Sequence, residues 1–243
     1  MTEDITYNAI DFSAQYYLLR KKEGRIYSDV EVSRLPVIDQ QHQYYKEWEV
    51  RKNSSDRLKK YLTAKRRPLR ILEIGAGNGW LSAKLSGIYS SHVTGIDINA
   101  EELSQAKRVF SQIENLHFFN CTLQDEPVNN QQFDIIVFAA SIQYFRSLRT
   151  VLSNALSHLE TGGEIHIVDT HFYHANDVNA AKQRTKDYFN GLGFPEMAEE
   201  YFHHSLDDLR SFNFETLYDP VSIINWLKKN KNPFYWFCVK HNA

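Results

Sequence analysis

Three glycines in five residues, Gly75, Gly77 and Gly79, separate a short apolar run from an amphipathic segment in residues 70–82, RILEIGAGNGWLS. Ile71, Leu72 and Ile74, interrupted by Glu73, read as a strand, and the residues after the glycines read as a helix. Glycine is used where backbone dihedrals are unusual or a ligand must approach the main chain with no Cβ in the way. A cofactor is therefore expected on this turn. A dinucleotide fingerprint, G-x-G-x-x-G, would need a glycine at position 80, which is Trp80. Glu73 at the strand end also opposes a pyrophosphate and suits a cofactor bearing an ammonium group. Both observations disfavour a nicotinamide-dependent oxidoreductase.

The downstream pattern alternates in the same way. Residues 92–98, HVTGIDI, read as a second strand ending at Asp97, about 20 residues past the glycine turn, where an acid can accept both hydroxyls of a ribose. Asp97 and Asn99 also suit helix capping, so a capping role competes there. Leu103, Ala106, Phe110 and Ile113 mark one face of a helix over 101–113, and residues 116–121 form a third strand. FDIIVFAA at 133–140 is the nearly unbroken apolar run of a central parallel strand. A helix over 148–159 is stopped by Gly162 and Gly163, and EIHIVDT at 164–170 is a fifth strand. A helix over 179–192 follows, and the aromatic, β-favouring runs FETLYDP and FYWFCVK come last.

The EIGAGNG turn at 73–79 resembles motif I of the class I S-adenosylmethionine (AdoMet) methyltransferases, and the helix, double glycine and strand at 148–170 resemble that family's L-x-x-G-G-x-hydrophobic signature. The match spans about 100 residues in the right order. The resemblance implies an α/β, Rossmann-like three-layer sandwich. Its sheet would be mostly parallel and seven-stranded, with an antiparallel last strand and an N-terminal helical extension. It implies S-adenosyl-L-methionine as cofactor, held by Glu73, Gly75, Ala76, Gly77, Asn78, Gly79, Asp97, Ile98, Thr122, Leu123 and Ala139. Many members carry an Asp in the loop after the third strand to bind adenine. Here NCTLQD places the acid late, at Asp125, and leaves the adenine reader open. With no N-P-P-Y or D-P-P-Y after the fourth strand, methylation of nucleobase or glutamine amides is disfavoured, and with no carboxylate there the magnesium-dependent catechol type is too.

Residues 1–66 are expected to form a helical lid or cap, with a helix from Tyr44 to Leu62 burying Trp48, Leu58 and Leu62, and with Tyr17 or Tyr27 available to close over a ligand. Residues 67–243 would be the AdoMet-binding domain, with a substrate-shaping insert at about 171–212. Net charge is −2, so no general polyanion-binding field is implied. Arg57, Lys59, Lys60, Lys65, Arg66, Arg67 and Arg70 cluster before the first strand. A charge run at a helix end is usually a solvated face, and nucleic acid is not the expected partner. Cys121 and Cys238, at no metal spacing, read as buried reduced thiols. No membrane span or leader is visible, and a cytoplasmic protein is expected. No particular oligomeric state follows.

A sulfonium methyl is already activated, so the protein's main task is to align a nucleophile behind it. If that nucleophile is a hydroxyl or amine, a general base helps, and His171, just after the fifth strand, is the first candidate, with His174 second. His203 and His204 complete a histidine-rich stretch between the fifth and seventh strands. No metal site is expected, since the spacing of His171 and His174 needs helix geometry and a third ligand. The expected activity is methyl transfer to a small-molecule acceptor at O or N. The alternatives are an AdoMet-binding regulatory subunit without catalysis and a methyltransferase acting on a macromolecule.

Overall fold

The computed structural model describes residues 4–226 and 232–242. Helices α1 (Asp4–Glu23), α2 (Asp29–Val32) and α3 (Tyr45–Thr63) precede β1 (Arg70–Ile74), α4 (Trp80–Ser86), β2 (His92–Asp97), α5 (Ala100–Val109) and β3 (Leu116–Asn120). After them come β4 (Phe133–Ala139), α6 (Leu148–Ser157), β5 (Leu159–Val168), α7 (Val178–Leu192), β6 (Asn213–Tyr218), α8 (Ile223–Trp226) and β7 (Trp236–Lys240). The strands form one sheet in the order β3-β2-β1-β4-β5-β7-β6. β1 to β5 run parallel, and β7 runs antiparallel to both β5 and β6. This is the Rossmann-like sheet expected from the sequence.

The strands' period of two divides the core between the two faces. Ile71, Ile135 and Val137 pack with Leu58 and Leu62 of α3, Leu81 and Leu85 of α4, and Leu103 and Ala106 of α5. Leu72, Ile136 and Phe138 pack on the opposite face with Val151, Leu152 and Ala155 of α6. Ile136, Val137 and Phe138 of β4 have no exposed surface, as its apolar run demands. Trp48, Leu58 and Leu62 of α3 are buried as expected.

The ends of α6 and α5 and the start of β5, at Leu159 rather than residue 164, differ from the sequence expectation. α6 ends at Ser157 with His158 as its C-cap, so the double glycine does not stop it. Gly162 and Gly163 instead lie at the start of β5, where the register with β4 jumps from Phe133↔Leu159 to Ile135↔Glu164 and the intervening residues loop out. Gly162 has φ +77°, and a Cβ on Gly163 would lie 2.9 Å from the Glu160 carbonyl oxygen. The glycines thus serve a bulge rather than a helix cap. α5 stops at Val109 rather than reaching Ile113, with Phe110 as its C-cap.

Candidate functional site

At the carboxyl end of β1 the chain turns on main-chain hydrogen bonds. Gly75 N–H and Ala76 N–H both donate to the Ile96 carbonyl, at 2.9 and 3.0 Å. Gly77 N–H donates to Asp97 Oδ2 at 2.7 Å. Asp97 Oδ1 accepts from Asn99 N–H at 2.8 Å, while Asn99 itself caps α5 by accepting from Glu102 N–H. The helix cap is therefore Asn99, and Asp97 faces the glycine turn.

The three glycines do different work. A Cβ on Gly75 would collide with the Ser141 side chain, whose hydroxyl ties the β4 exit to β1 by donating to the Ile74 carbonyl at 2.6 Å. A Cβ on Gly79 would lie 2.8 Å from Ala106 Cβ and 2.5 Å from the Phe118 ring. Gly77, at φ +52°, would carry a Cβ in ordinary van der Waals contact with the Glu102 carboxylate, its nearest atom Oε2 at 3.5 Å, so no clash opposes a side chain there.

Over the turn lies a cleft of about 100 Å³. Its floor is Glu73, Gly75, Ala76, Gly77, Asn78, Ala139 and Ala140. Trp80 and Glu102 line it from α4 and α5, and Tyr16, Arg20, Arg25, Tyr27, Glu47, Trp48 and Arg51 line it from the N-terminal extension. Among the aromatics proposed to close over a ligand, Tyr27 is present, and Tyr16 lines the cleft where Tyr17 was expected.

The floor is acidic and the roof basic. Glu73 is 3% exposed, and burial pushes its carboxyl up to about 8, against the hydrogen bond it accepts from Ser82 Oγ at 2.5 Å. Burial, with Asp97 nearby, pushes Glu102 up to about 7, and burial raises Asp97 too. In the roof, Glu47 accepts from both terminal nitrogens of Arg25, at 2.9 and 2.7 Å, and from Arg51 Nη2 at 3.0 Å. Burial raises the Glu47 carboxyl, but these guanidiniums outweigh it and hold the group at about 2. Arg20 donates to Glu23 and to the Tyr144 hydroxyl, the latter at 3.3 Å.

The structure therefore brings together Glu73, Gly75, Ala76, Gly77, Asn78 and Ala139, with Asp97 one hydrogen bond away. Gly79 packs beneath them. Ile98, Thr122 and Leu123 do not line the cleft. Ile98 is 38% exposed, Leu123 is buried in the core, and Thr122 is bonded to Asp125, which closes its own loop. His171 and His174 are exposed and outside the lining; the His171 ring rests edge-on against Phe234 at 4.6 Å. Sequence reasoning missed the roof arginines and Glu102. Glu102 sits one helical turn into α5 after Asp97, which was a readable signal; the arginines lie far upstream and carried none.

Elsewhere, the basic cluster is largely partnered. Lys65 pairs with Glu164, Arg67 with Asp134 and Arg70 with Glu160, while Arg57 stacks on Tyr218. Both cysteines are free thiols, and burial pushes Cys121 up to about 11 and Cys238 up to about 12. Glu164, His166 and Cys238 lie close enough together to share a cation. Trp236 Nε1–H donates to His166 Nδ1 at 3.1 Å, however, which leaves the ring proton on Nε2, 3.3 Å from Glu164, and no lone pair for a metal. No helix among the described residues is long and apolar enough to cross a membrane.

Residues 71–163 match the family model described as Methyltransferase domain. Among curated proteins, the chain is 28% identical over 123 residues to a malonyl-[acyl-carrier protein] O-methyltransferase of Bacillus cereus, covering 50% of this chain and 45% of that protein. It is 26% identical over 116 residues to the demethylmenaquinone methyltransferase of Chlorobaculum tepidum, covering 48% and 46%. The chain thus spans about half the length of these relatives. Among solved structures, the magnesium protoporphyrin IX methyltransferase of Synechocystis with bound AdoMet aligns over 88% of this chain and 92% of that one, at a TM-score of 0.57 and 13% identity. A plantazolicin methyltransferase in complex with S-adenosylhomocysteine aligns over 98% and 99%, at 0.55 and 14%.

Proposed function

We propose that this chain, whose residues 71–163 match a methyltransferase-domain family model, binds AdoMet over its glycine turn and transfers the methyl group to a small-molecule hydroxyl or amine. The observation that carries this reading is the cleft-facing Gly77, which lacks a Cβ where a ligand would lie and whose N–H is held by Asp97. Asp97 would accept the ribose hydroxyls, with Ile98 beside it. The buried carboxyl of Glu73 would meet the ammonium group, while the turn from Gly75 to Gly79 runs beneath the ligand. Thr122 and Leu123 would border the adenine, and Ala139, at the β4 exit, the sulfur. Residues 1–66 act as the cap over residues 67–243, since Tyr16, Arg20, Arg25 and Arg51 roof the cleft. A cleft of about 100 Å³ is smaller than the roughly 300–1,000 Å³ of ordinary ligand sites, so that roof must part to admit the cofactor.

AdoMet supplies a methyl group already activated by the sulfonium charge, and the residues around it position and exclude water. Proximity and orientation can supply roughly 7–11 kcal/mol of such a barrier. Calorimetric titration with AdoMet, S-adenosylhomocysteine and NADH tests the reading. Micromolar binding of both sulfur compounds, lost in Asp97→Ala and Gly77→Val, is expected. Binding of NADH with no binding of the sulfur compounds would overturn it.

A further inference from the structure

One acid of the cofactor cleft has a carboxyl that no other group holds. Glu102, the third residue of α5, lines the cleft. An acid at that helix position ordinarily reaches back to accept the N–H of the cap residue. Here the cap is Asn99, and its N–H already donates to Asp97 Oδ1 at 2.8 Å. Glu102 is thereby released from capping, and among the described residues no hydrogen bond or ion pair reaches its oxygens. The charges of Arg20 and Arg51 act on it from the roof without pairing with it.

The freed carboxyl lies beside the cleft-facing glycine. Glu102 Oε2 is 3.5 Å from where a Cβ of Gly77 would stand, and Gly77 N–H donates to Asp97 Oδ2 at 2.7 Å. Two carboxyls thus flank one glycine. Asp97 has both oxygens engaged with main-chain N–H groups, so it has fewer lone pairs than Glu102 to offer a ligand. Two acids this close repel a phosphate, whereas they can share a pair of neutral O–H donors. A vicinal diol supplies that pair, one hydroxyl for each acid.

Resting on the AdoMet reading, we propose that Glu102 is a second ribose acid, accepting one hydroxyl of the cofactor's vicinal diol while Asp97 accepts the other. Asp97 then has two tasks, holding the turn and taking one hydroxyl, and Glu102 has the ligand alone. α5 stays in place without the Glu102 side chain, since Leu103 and Ala106 are buried in the core and Gln105 and Arg108 both donate to Asp29. Removing that side chain therefore probes the ligand contact with the helix intact.

The test is calorimetric titration of the full chain with S-adenosylhomocysteine and with its 2′-deoxy and 3′-deoxy analogues. Glu102→Ala should weaken binding of S-adenosylhomocysteine about 10- to 100-fold, the worth of one hydrogen bond to a charged group. For the analogue lacking the hydroxyl that Glu102 holds, the same substitution should change affinity by no more than about twofold, while its effect on the other analogue stays undiminished. Glu102→Gln, which keeps an acceptor oxygen, should recover part of the loss. A merely structural or long-range electrostatic role would weaken all three ligands equally, and that result would overturn the proposal, as would unchanged affinity for S-adenosylhomocysteine in Glu102→Ala. Failure of the wild-type protein to bind S-adenosylhomocysteine would instead sink the cofactor reading, and this one with it.

Discussion

Glu73 is the one acid of the cleft floor whose titration has a direct thermodynamic readout. With its carboxyl at about 8 in the ligand-free protein, it is mostly protonated at pH 7, and an ammonium group arriving beside it favours the ionised form. Cofactor binding at pH 7 should therefore release close to one proton. The apparent enthalpy of AdoMet titrations will then differ between phosphate and Tris buffers, and Glu73→Gln will abolish the difference. The same shift sets a stability trend. Its folded value lies above its ordinary 4.5, so its contribution is complete below about 4.5 and is lost as pH rises through about 8. Thermal denaturation between pH 5 and 8 should show a smaller decline in Glu73→Gln than in the wild type. The glycines separate fold from ligand in a second way. Gly75→Ala places a methyl group into Ser141 at φ +78° and should lower unfolding free energy by about 2 kcal/mol or more. Gly77→Ala meets only an ordinary contact with Glu102, so it should cost about 1–2 kcal/mol of stability from φ alone and show its larger effect in AdoMet affinity.

Among the helices, α1 and α7 belong to a different core. Leu19 of α1 is buried with Phe189 of α7 and Met197 from the turn after it, apart from the two clusters that cover the sheet. α3, in contrast, is fixed to the sheet, since Trp48 packs on Trp80 at 5.4 Å and Ser54 donates to Asp169 at 2.8 Å. Opening of the roof should therefore proceed through α1. Leu19→Ala should cost about 2–5 kcal/mol of local stability, read as faster amide hydrogen exchange in α1 with unchanged protection in β1 and β4, and it should speed cofactor release. What the sequence disclosed about these elements follows from where their partners lie. The glycine turn, the β4 run and the face of α3 were legible because period and punctuation are local. The roof was not, because Arg20, Arg25 and Arg51 reach the cleft only through tertiary packing. The bulge at 160–163 was hidden for a similar reason. A double glycine after an apolar helix reads locally as a cap, and only the register against β4 shows otherwise. His203 is the same case, one of four histidines between β5 and β7, and only tertiary packing brings Tyr173 and Tyr201 against it.

Across the whole molecule, Glu164 joins the extension to the antiparallel edge of the sheet. It takes Lys65 Nζ at 2.7 Å from the segment after α3, Tyr61 Oη at 3.2 Å from α3 itself, and Lys240 Nζ at 3.5 Å from β7. Lys65→Met removes the nearest cation from a carboxylate that is almost fully buried, which should lower stability by about 3–5 kcal/mol in denaturant titration, and adding Glu164→Leu should restore most of it. That edge has a further property. β7, at residues 236–240, is inserted between β5 and β6, although β6 precedes it in the chain. During synthesis, β1 to β5 can assemble side by side as they emerge, but β6 must wait without its neighbour until residue 240 is made. Until then β5 carries an open hydrogen-bonding edge, the kind that pairs with other chains. This edge of the sheet is thus completed by the threading of one five-residue strand between two neighbours made before it, and β5 is most open to pairing with other chains just before that strand arrives.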